Sequence, residues 1–377
     1  MTQTQNQERL LSWSRALGIV SPDADTISDK SFSNHYVKLR CECFNFLIDN
    51  TNLDLNQFNP LSKVTAGNPW AKQYDNQNKL NEIKLDVDRT YQELDFFSKD
   101  NDNHKALINI LFTFTKSHKL DYRQGMNEIC AIMYYAVSQG LPHEQSSIDN
   151  RESITYELFS AFMMKFGYAD MFYQTSVLGV HHSPIVSSTS PTSPLLARCE
   201  KVFELLLVKD PRLHKHLITH DISPNLFLVR WIRIMFAREF PFVQTLSIWD
   251  FIFAHVPVGK AIPFPCIVDH FAIAMIVNIR TELLQSDNSG CFSKLLKYPK
   301  LSSISALLDL TIQIRDNGDI TAPTMAPAVA APVPVTRREK IIADLTAVIV
   351  DLKNSECSRL IGPSISKLDE VLSFIKK

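Results

Sequence analysis

Two short stretches carry side chains that could act together on a transferring phosphoryl group. In residues 83–89, Asp86 precedes Arg89 by three positions, a spacing at which a helical carboxylate can pair with a guanidinium and fix its direction. Gln124 precedes Gly125 and an apolar helical pattern, so we expect it on a short loop at a helix N-terminus. Arginine can neutralise charge developing on phosphoryl oxygens, and a glutamine amide can hold the attacking water.

Three helices are predicted to position these side chains. The first covers about residues 76–97, and Arg89 lies on the side of it that faces away from its apolar stripe. A second helix over about residues 104–118 leads to Gln124, and a third runs from there to about Ser138. The stripe of the first helix contains Leu80, Ile83, Val87, Tyr91, Leu94 and Phe97.

These motifs resemble the TBC domain of Rab GTPase-activating proteins, whose two fingers are written I-x-x-D-x-x-R and Y-x-Q. The resemblance covers roughly residues 8–316. The opening Asn59-Pro60-Leu61-Ser62, followed by Trp70, is most similar to the TBC subfamily linked to endosomal Rab proteins and retromer. The matching residues are Ile83, Asp86 and Arg89, then Tyr122 and Gln124, and then Pro224, Arg230, Trp231, Phe236, Arg238, Glu239, Phe240, Pro241, Trp249 and Asp250.

The resemblance implies a role for each matching residue. Arg89 and Gln124 are expected to enter the active site of a GTP-bound Rab-family GTPase in trans. The chain would then be an activator rather than an enzyme in its own right. It would need no cofactor or metal of its own, because GTP and Mg²⁺ belong to the partner. Supporting roles are expected for Ile83, Asp86, Tyr122 and Gly125, and partner contact for Asn127, Arg230 and Trp231.

Packing is the alternative interpretation for Arg230 and Trp231. The segment 223–240 reads as one helix containing Arg230, Arg233 and Arg238. Such arginines could bind phosphate, but a buried arginine needs a carboxylate such as Glu239 or Asp250. We favour the structural interpretation.

A departure from the family pattern is Gln92, where proline is common, and its presence is expected to let the first helix continue.

The predicted fold class is all-α, because no strand-like alternation is present. The resemblance implies a multi-helix, two-lobed TBC domain. The expected divisions are a domain over residues 8–318, an Ala/Pro-rich linker over 319–336 and a helical tail over 337–377. Residues 265–285 read as one apolar helix. A Ser/Pro-rich insert at 183–194 is expected to be a flexible loop that could accept phosphate, and Trp70 is expected in the core.

Composition excludes several classes of protein. The formal net charge of −1 argues against a non-specific nucleic-acid binder, and no apolar run is long enough for a transmembrane segment. The polar N-terminus and unpaired cysteines predict a cytoplasmic protein with reduced thiols. The family resemblance implies peripheral recruitment to endosomal or other vesicle membranes. His216 and His220 have a spacing that can hold zinc, but no further ligand follows at a known spacing, so we interpret them as surface histidines.

Three functions remain open at this stage. The first is GTPase activation in vesicle and endosomal trafficking. The second is a non-catalytic TBC-fold adaptor that binds a Rab or an endosomal coat such as retromer. The third is a helical structural protein in which Asp86 and Arg89 form a surface pair and Gln124 acts as a cap. An adaptor needs neither Arg89 nor Gln124, so their presence favours the activator.

Overall fold

Regular structure in the described part of the chain is entirely helical, which confirms the predicted all-α class. The computed structural model describes residues 2–27, 30–45, 69–99, 101–173 and 193–316. The α-helices in these ranges are α1 (Gln3–Ala16), α2 (Lys30–Phe44), α3 (Pro69–Val87), α4 (Asp102–Ser117), α5 (Met126–Gly140), α6 (Ile148–Ser160), α7 (Pro194–Lys209), α8 (Pro211–Thr219), α9 (Leu228–Arg233), α10 (Phe242–Ala254), α11 (Ile267–Asn278), α12 (Arg280–Leu284), α13 (Asn288–Leu296) and α14 (Ser305–Asp316).

Short polar side chains begin several of these helices. The Asn101 side chain accepts from the His104 N–H at 2.7 Å and so caps α4, the helix between the two candidate motifs. Asp210 caps α8 in the same way, through the Leu213 N–H at 2.9 Å. These caps explain why the sequence stops and restarts its helices at these points. The segments between the α-helices contain 3₁₀ turns at Asp95–Phe97, His143–Gln145, Tyr168–Met171 and Pro224–Leu226, and one π turn at Ala161–Lys165.

Helix α5 is the central element around the candidate site. Its residues from Met126 to Tyr134 are all buried, and it packs against α1, α4 and α6. Helix α3 packs against α4, and also touches α5. Helices α3 and α5 therefore pack against each other and both pack against α4. This arrangement brings together two motifs that are about 35 residues apart in the sequence.

Aromatic packing and a partly buried ion pair connect α1 to α10. The rings of Trp13 and Trp249 are 5.6 Å apart, and the Trp13 Nε1–H donates to Asp250 at 2.9 Å. Arg9 forms three further hydrogen bonds to the same carboxylate, at 2.7, 2.8 and 3.1 Å. Asp250 therefore pairs with Arg9, and not with an arginine of the segment 223–240. The fold uses it to fix the N-terminal helix.

The segment 223–240 is not the single helix that the sequence predicts. It forms a 3₁₀ turn at Pro224–Leu226, then α9, and then a turn in which Met235 and Phe236 adopt positive φ angles of 48° and 64°. The Trp249 Nε1–H donates to the Met235 carbonyl at 3.0 Å. A side chain of α10 is therefore hydrogen-bonded to the backbone at the turn that follows α9. This tertiary contact satisfies a carbonyl at the point where the helix is interrupted.

The predicted apolar helix at 265–285 is also divided. Helix α11 ends at Asn278, and α12 begins at Arg280 after Ile279, whose ψ of 21° lies outside the helical range. Among the described residues, none of the helices combines the length and hydrophobicity needed to cross a bilayer.

Several expectations fall outside the described residues. These are the 59–62 opening, the side chain of Trp70, the 183–192 part of the insert, the linker and the tail. The described residues all belong to one compact unit, Met1–Ala322. The boundaries at 318 and 336 stay predictions.

Candidate functional site

Arg89 lies just beyond the end of α3 with its side chain 53 % exposed. One guanidinium nitrogen donates to Oδ1 of Asp86, which is buried in the last turn of the helix. The predicted pairing of these two residues is therefore present. Ile83, three residues before Asp86, is fully buried and fixes that face of α3 on the core. A buried carboxylate thus directs an exposed guanidinium.

The first helix ends ten residues earlier than predicted, at Val87 rather than at residue 97. The Thr90 hydroxyl donates to the Asp86 carbonyl at 2.7 Å, and the Gln92 side-chain amide donates to the Asp88 carbonyl at 2.8 Å. Side chains thereby satisfy carbonyls that a continuing helix would use. The expectation that the helix continues because residue 92 is not proline is therefore wrong.

Residues 88–91, here called the arginine turn, are anchored on both sides of Arg89. The Asp88 carboxylate accepts from His104 Nε2 at 2.8 Å and from Lys99 Nζ at 3.0 Å. Burial alone would raise the pKa of Asp88, but these hydrogen bonds outweigh it and lower that pKa. On the other side, Tyr91 has a φ of 44° and packs its ring edge-on against Phe242 at 4.8 Å.

Residues 118–125, the glutamine loop, present Gln124 as an exposed side chain directly before α5. Gly125 is the N-cap of α5 with a φ of 103°, as expected for a glycine that relaxes the backbone before a helix. Tyr122 is buried beneath the loop, and Tyr173 donates to the Asp121 carbonyl at 2.6 Å. Gln124 is therefore exposed on a loop that is fixed at both ends.

Replacing Gly125 by alanine is expected to destabilise the protein by about 2–5 kcal/mol. The positive φ costs about 1–2 kcal/mol for a residue with a Cβ, and overpacking costs about 1–3 kcal/mol more. A Cβ at this position would lie 2.8 Å from Cγ2 of Ile234. Urea denaturation measures the change in the free energy of unfolding.

Gly259→Ala is the matched control, because Gly259 has a φ of 63° but its Cβ would meet only the Gly18 Cα, at 3.7 Å. It should cost only the backbone share, about 1–2 kcal/mol. Equal losses for the two variants would contradict a tight contact at Gly125.

The Asp86 carboxylate connects the arginine turn to the glutamine loop. Its second oxygen accepts from the Tyr122 hydroxyl at 2.9 Å, while its first holds Arg89. Burial, followed by the Asp86 charge, raises the pKa of Tyr122 far above its usual range. The phenol is therefore a neutral donor. One carboxylate orients the exposed arginine and the buried tyrosine of the opposite loop.

Asn127 makes a second connection between the same two segments. Its Oδ1 accepts from the Gly125 N–H at 2.9 Å, and its Nδ2 donates to Oγ1 of Thr90 at 2.8 Å. The Nδ2 also approaches the Asp86 carbonyl at 3.4 Å. Asn127 is only 2 % exposed. It lies inside the protein and not on the partner-facing surface that the sequence suggested.

Trp231 lies in the core, as the structural interpretation placed it, whereas Arg230 is paired with a carboxylate but is 45 % exposed, so partner contact by Arg230 stays a prediction. Arg230 makes two hydrogen bonds to the buried carboxylate of Glu239, at 2.6 and 2.7 Å, and Trp231 is fully buried. The expected Arg230–Glu239 pair is present. Trp231 presents no surface to a partner.

Glu128 and Arg238 form an ion pair beside the glutamine loop. Glu128 is buried in the first turn of α5, and Arg238 reaches it from the segment before α10. Burial raises the pKa of Glu128 above its ordinary value, and the Arg238 guanidinium opposes that rise. The segment that contains positive-φ Met235 and Phe236 thereby supports α5.

Within the described ranges, no group of three or more His, Cys, Asp or Glu side chains is arranged to hold a metal ion. The ring centroids of His216 and His220 are 4.1 Å apart with the rings tilted by 39°, and each ring has a nitrogen within 3.2 Å of a backbone carbonyl. Both are half-buried rather than surface residues.

The sequence profile of the Rab-GTPase-TBC domain family matches residues 37–284, which include both candidate segments and the buried network between them. The chain belongs to the Rab-GTPase-TBC domain family. Human TBC1 domain family member 5 is 27 % identical to it over 287 residues, covering 70 % of this chain and 35 % of the human protein. Mouse TBC1 domain family member 13 is 26 % identical, covering 55 % of this chain and 46 % of that protein. The chain thus spans about a third of the length of the first relative and about half of the second.

A solved structure supports the TBC fold. The crystal structure of the Ypt/Rab-GAP domain of Gyp1p superimposes with a TM-score of 0.56, covering 83 % of this chain and 92 % of that chain at 14 % identity. At that identity the similarity concerns the fold alone. It confirms that the helices of this chain have the TBC arrangement.

Sequence reasoning did not identify Thr90 or Asp88 as parts of this TBC site. A usable signal for Thr90 was present, because a threonine four residues after Asp86 can return its hydroxyl to that carbonyl. No comparable local signal marks Asp88, whose partner His104 lies on a different helix.

Proposed function

We propose that this chain is a GTPase-activating protein for a Rab-family small GTPase, and that Arg89 and Gln124 complete the partner's active site in trans. The proposal rests on two exposed side chains, the Arg89 guanidinium and the Gln124 amide. They lie on two segments that are both hydrogen-bonded to the buried Asp86 carboxylate. Membership of the TBC family supports the partner class. A chain serving only as a scaffold has no need for such a pair.

Arg89 acts on the charge that develops during phosphoryl transfer. In the transition state negative charge spreads over the transferring and leaving oxygens, and a guanidinium can donate several hydrogen bonds to them. The Asp86 contact fixes the Arg89 guanidinium, while 53 % of the Arg89 side chain stays exposed. Asp86 is therefore a positioning residue, and Arg89 is the group that touches the nucleotide.

Gln124 acts on the attacking water. Its amide carries both a donor and an acceptor, so it can hold a water molecule in line with the γ-phosphate. In this proposal it stands in for the glutamine that a small GTPase would otherwise use. The nucleotide and Mg²⁺ come with the partner, and this chain contributes side chains only. Vesicle and endosomal trafficking, with retromer components as further partners, is the expected setting.

The outer face of α3 is proposed to contact the GTPase next to Arg89. Leu85 lies four residues before Arg89 and is 68 % exposed. Tyr74 lies eleven residues before Leu85, is similarly exposed, and points to nearly the same side of the helix. Large apolar side chains left in solvent beside a reacting group suit a protein partner. This face would seat the GTPase so that Arg89 reaches its nucleotide.

Leu85→Asp is expected to raise the activator concentration that gives half-maximal hydrolysis by about tenfold, equal to about 1.4 kcal/mol of binding. The rate at saturation should stay the same, because the lost contact acts equally in the ground and transition states. A titration of activator in single-turnover GTP hydrolysis separates the two quantities. Val208→Asp, an equally exposed apolar site on α7, is the control. A fall in the saturated rate, or an equal effect at Val208, would contradict the assignment.

The test of the proposed function is single-turnover GTP hydrolysis across a panel of Rab proteins, with the wild type, Arg89→Ala and Gln124→Ala. Acceleration of one or a few Rab proteins that both substitutions remove, in folded variants, supports two fingers. Acceleration of none would reject activation of these GTPases. Binding without acceleration would make the adaptor the better account.

A further inference from the structure

The arginine turn and the glutamine loop are joined by a hydrogen bond that neither reacting side chain makes. It links Thr90 to Asn127, and both are buried. We propose that Thr90 and Asn127 are positioning residues that hold the two segments in one arrangement, so that Arg89 and Gln124 act as a single unit. This inference rests on the proposed function. It adds residues that touch neither the nucleotide nor the partner.

The orientation of the Asn127 amide is fixed by its partners. The Gly125 N–H needs an acceptor, so the atom 2.9 Å away is the oxygen. The nitrogen then faces the arginine turn, where it donates to Thr90 Oγ1 at 2.8 Å. One planar group of fixed geometry therefore spans from the residue after Gln124 to the residue after Arg89.

The Thr90 hydroxyl is used completely by this arrangement. It donates its single proton to the Asp86 carbonyl at 2.7 Å, so it must accept from Asn127. Removal of the hydroxyl would leave the Asn127 Nδ2 with only a 3.4 Å contact to the same carbonyl. A buried donor that loses its partner favours a shift of the groups around it. Such a shift would change the position of the glutamine loop relative to the arginine turn.

Thr90 gives a sharper test than Asp86 or Tyr122. Asp86 contacts the Arg89 guanidinium, so its replacement changes the direction of the arginine itself. Tyr122 is hydrogen-bonded to that same carboxylate. The Thr90 hydroxyl has hydrogen bonds only to the Asp86 carbonyl and to the Asn127 side chain. Its replacement therefore removes the connection and leaves both reacting side chains and the Asp86–Arg89 pair intact.

The experiment compares Thr90→Val, which removes the hydroxyl at constant shape, with Thr90→Ser, which keeps it. The probe is the Rab protein accelerated most by the wild type, loaded with GTP, in single-turnover hydrolysis over a range of activator concentrations. Thr90→Val is expected to lower the saturated rate by about 10- to 100-fold, because misplacement of about 1 Å can cost about 10²-fold. The half-saturating concentration should change by less than about threefold. Thr90→Ser should restore most of the saturated rate.

Thr311→Val is the matched control. The Thr311 hydroxyl is also fully buried and donates to the carbonyl four residues earlier, Leu307, at 2.7 Å, but on α14. It reproduces the loss of the same kind of hydrogen bond away from the site. It should leave the saturated rate unchanged. A similar fall in rate for Thr311→Val and Thr90→Val would reduce the role of Thr90 to general stability and overturn the inference.

A double-variant measurement tests whether the two side chains act as one unit. Gln124→Ala lowers the rate by one factor in the wild type and by another in the Thr90→Val background. The second factor should be smaller than the first by at least about fivefold, because an amide that is already displaced contributes less to the rate. Additive effects would overturn the inference. Should Thr90→Val fail to fold, Thr90→Ala serves with the same expectation.

The outcomes separate the inference from the proposed function. If Arg89→Ala and Gln124→Ala remove the acceleration and Thr90→Val does not reduce it, the two fingers stand and the coupling is wrong. If neither Arg89 nor Gln124 matters, both are wrong.

Discussion

Arg89→Ala is expected to lower the acceleration of GTP hydrolysis by roughly 10³- to 10⁵-fold, the range found when an arginine finger is supplied or withheld. The loss should appear in the saturated rate, because the guanidinium acts on charge that is larger in the transition state than in bound GTP. Arg89→Lys should recover little, since a lysine ammonium is a point charge without the planar fork. Single-turnover hydrolysis at saturating activator measures both variants.

Arg212→Ala is the control for the removal of one exposed positive charge. Arg212 lies on α8, which carries none of the residues of the candidate site. It should match the wild type, and circular dichroism should give the same helix content for all variants. If Arg89→Ala kept the acceleration within about tenfold of wild type, the loss would be too small for an arginine finger. Arg89 would then not act in the transition state.

Asp269→Ala is expected to lower the free energy of unfolding by about 3–5 kcal/mol, the cost of removing one partner of a buried pair. The Asp269 carboxylate is 0 % exposed and the Arg198 side chain 7 %. They share two hydrogen bonds of 2.8 Å, and the carboxylate also accepts from the Cys266 N–H at 2.7 Å. The substitution would leave a buried guanidinium uncompensated and remove a cap from α11. Urea denaturation followed by circular dichroism measures the loss.

Burial would lower the pKa of Arg198, but the charge of Asp269 outweighs it, so the pKa is raised and the guanidinium stays protonated. The double variant Arg198→Met/Asp269→Leu should therefore be more stable than Asp269→Ala, because it removes both charges. Asp316→Ala, at the exposed Arg315–Asp316 pair, should leave the unfolding midpoint unchanged. If the single and double variants were equally destabilised, the uncompensated charge would not be the cause.

Local patterns were sufficient to predict the elements and the main contact of the site. Apolar residues at helical spacing placed α4 and α5 within about two residues of their observed ends. The three-residue spacing of Asp86 and Arg89 gave their pairing, and Gly125 gave the start of α5. Each of these features depends on residues within one or two helical turns.

Contacts between distant parts of the chain could not be predicted in this way. Glu128 is paired with Arg238, 110 residues away, and Asp250 with Arg9, 241 residues away. Many carboxylates could have paired with each arginine, and only the packed helices decide which does. The same reason explains the break in the segment 223–240, where the Trp249 side chain competes for a backbone carbonyl.

The contact between the Arg89 guanidinium and the buried Asp86 carboxylate exists before any GTPase arrives. A free arginine side chain has about 2 kcal/mol of rotamer entropy, and part of it is already lost when the chain folds. If Arg89 enters a GTPase as proposed, the encounter requires less ordering of this side chain. Productive complexes should accordingly form from a larger share of collisions than with an arginine that moved freely in solvent.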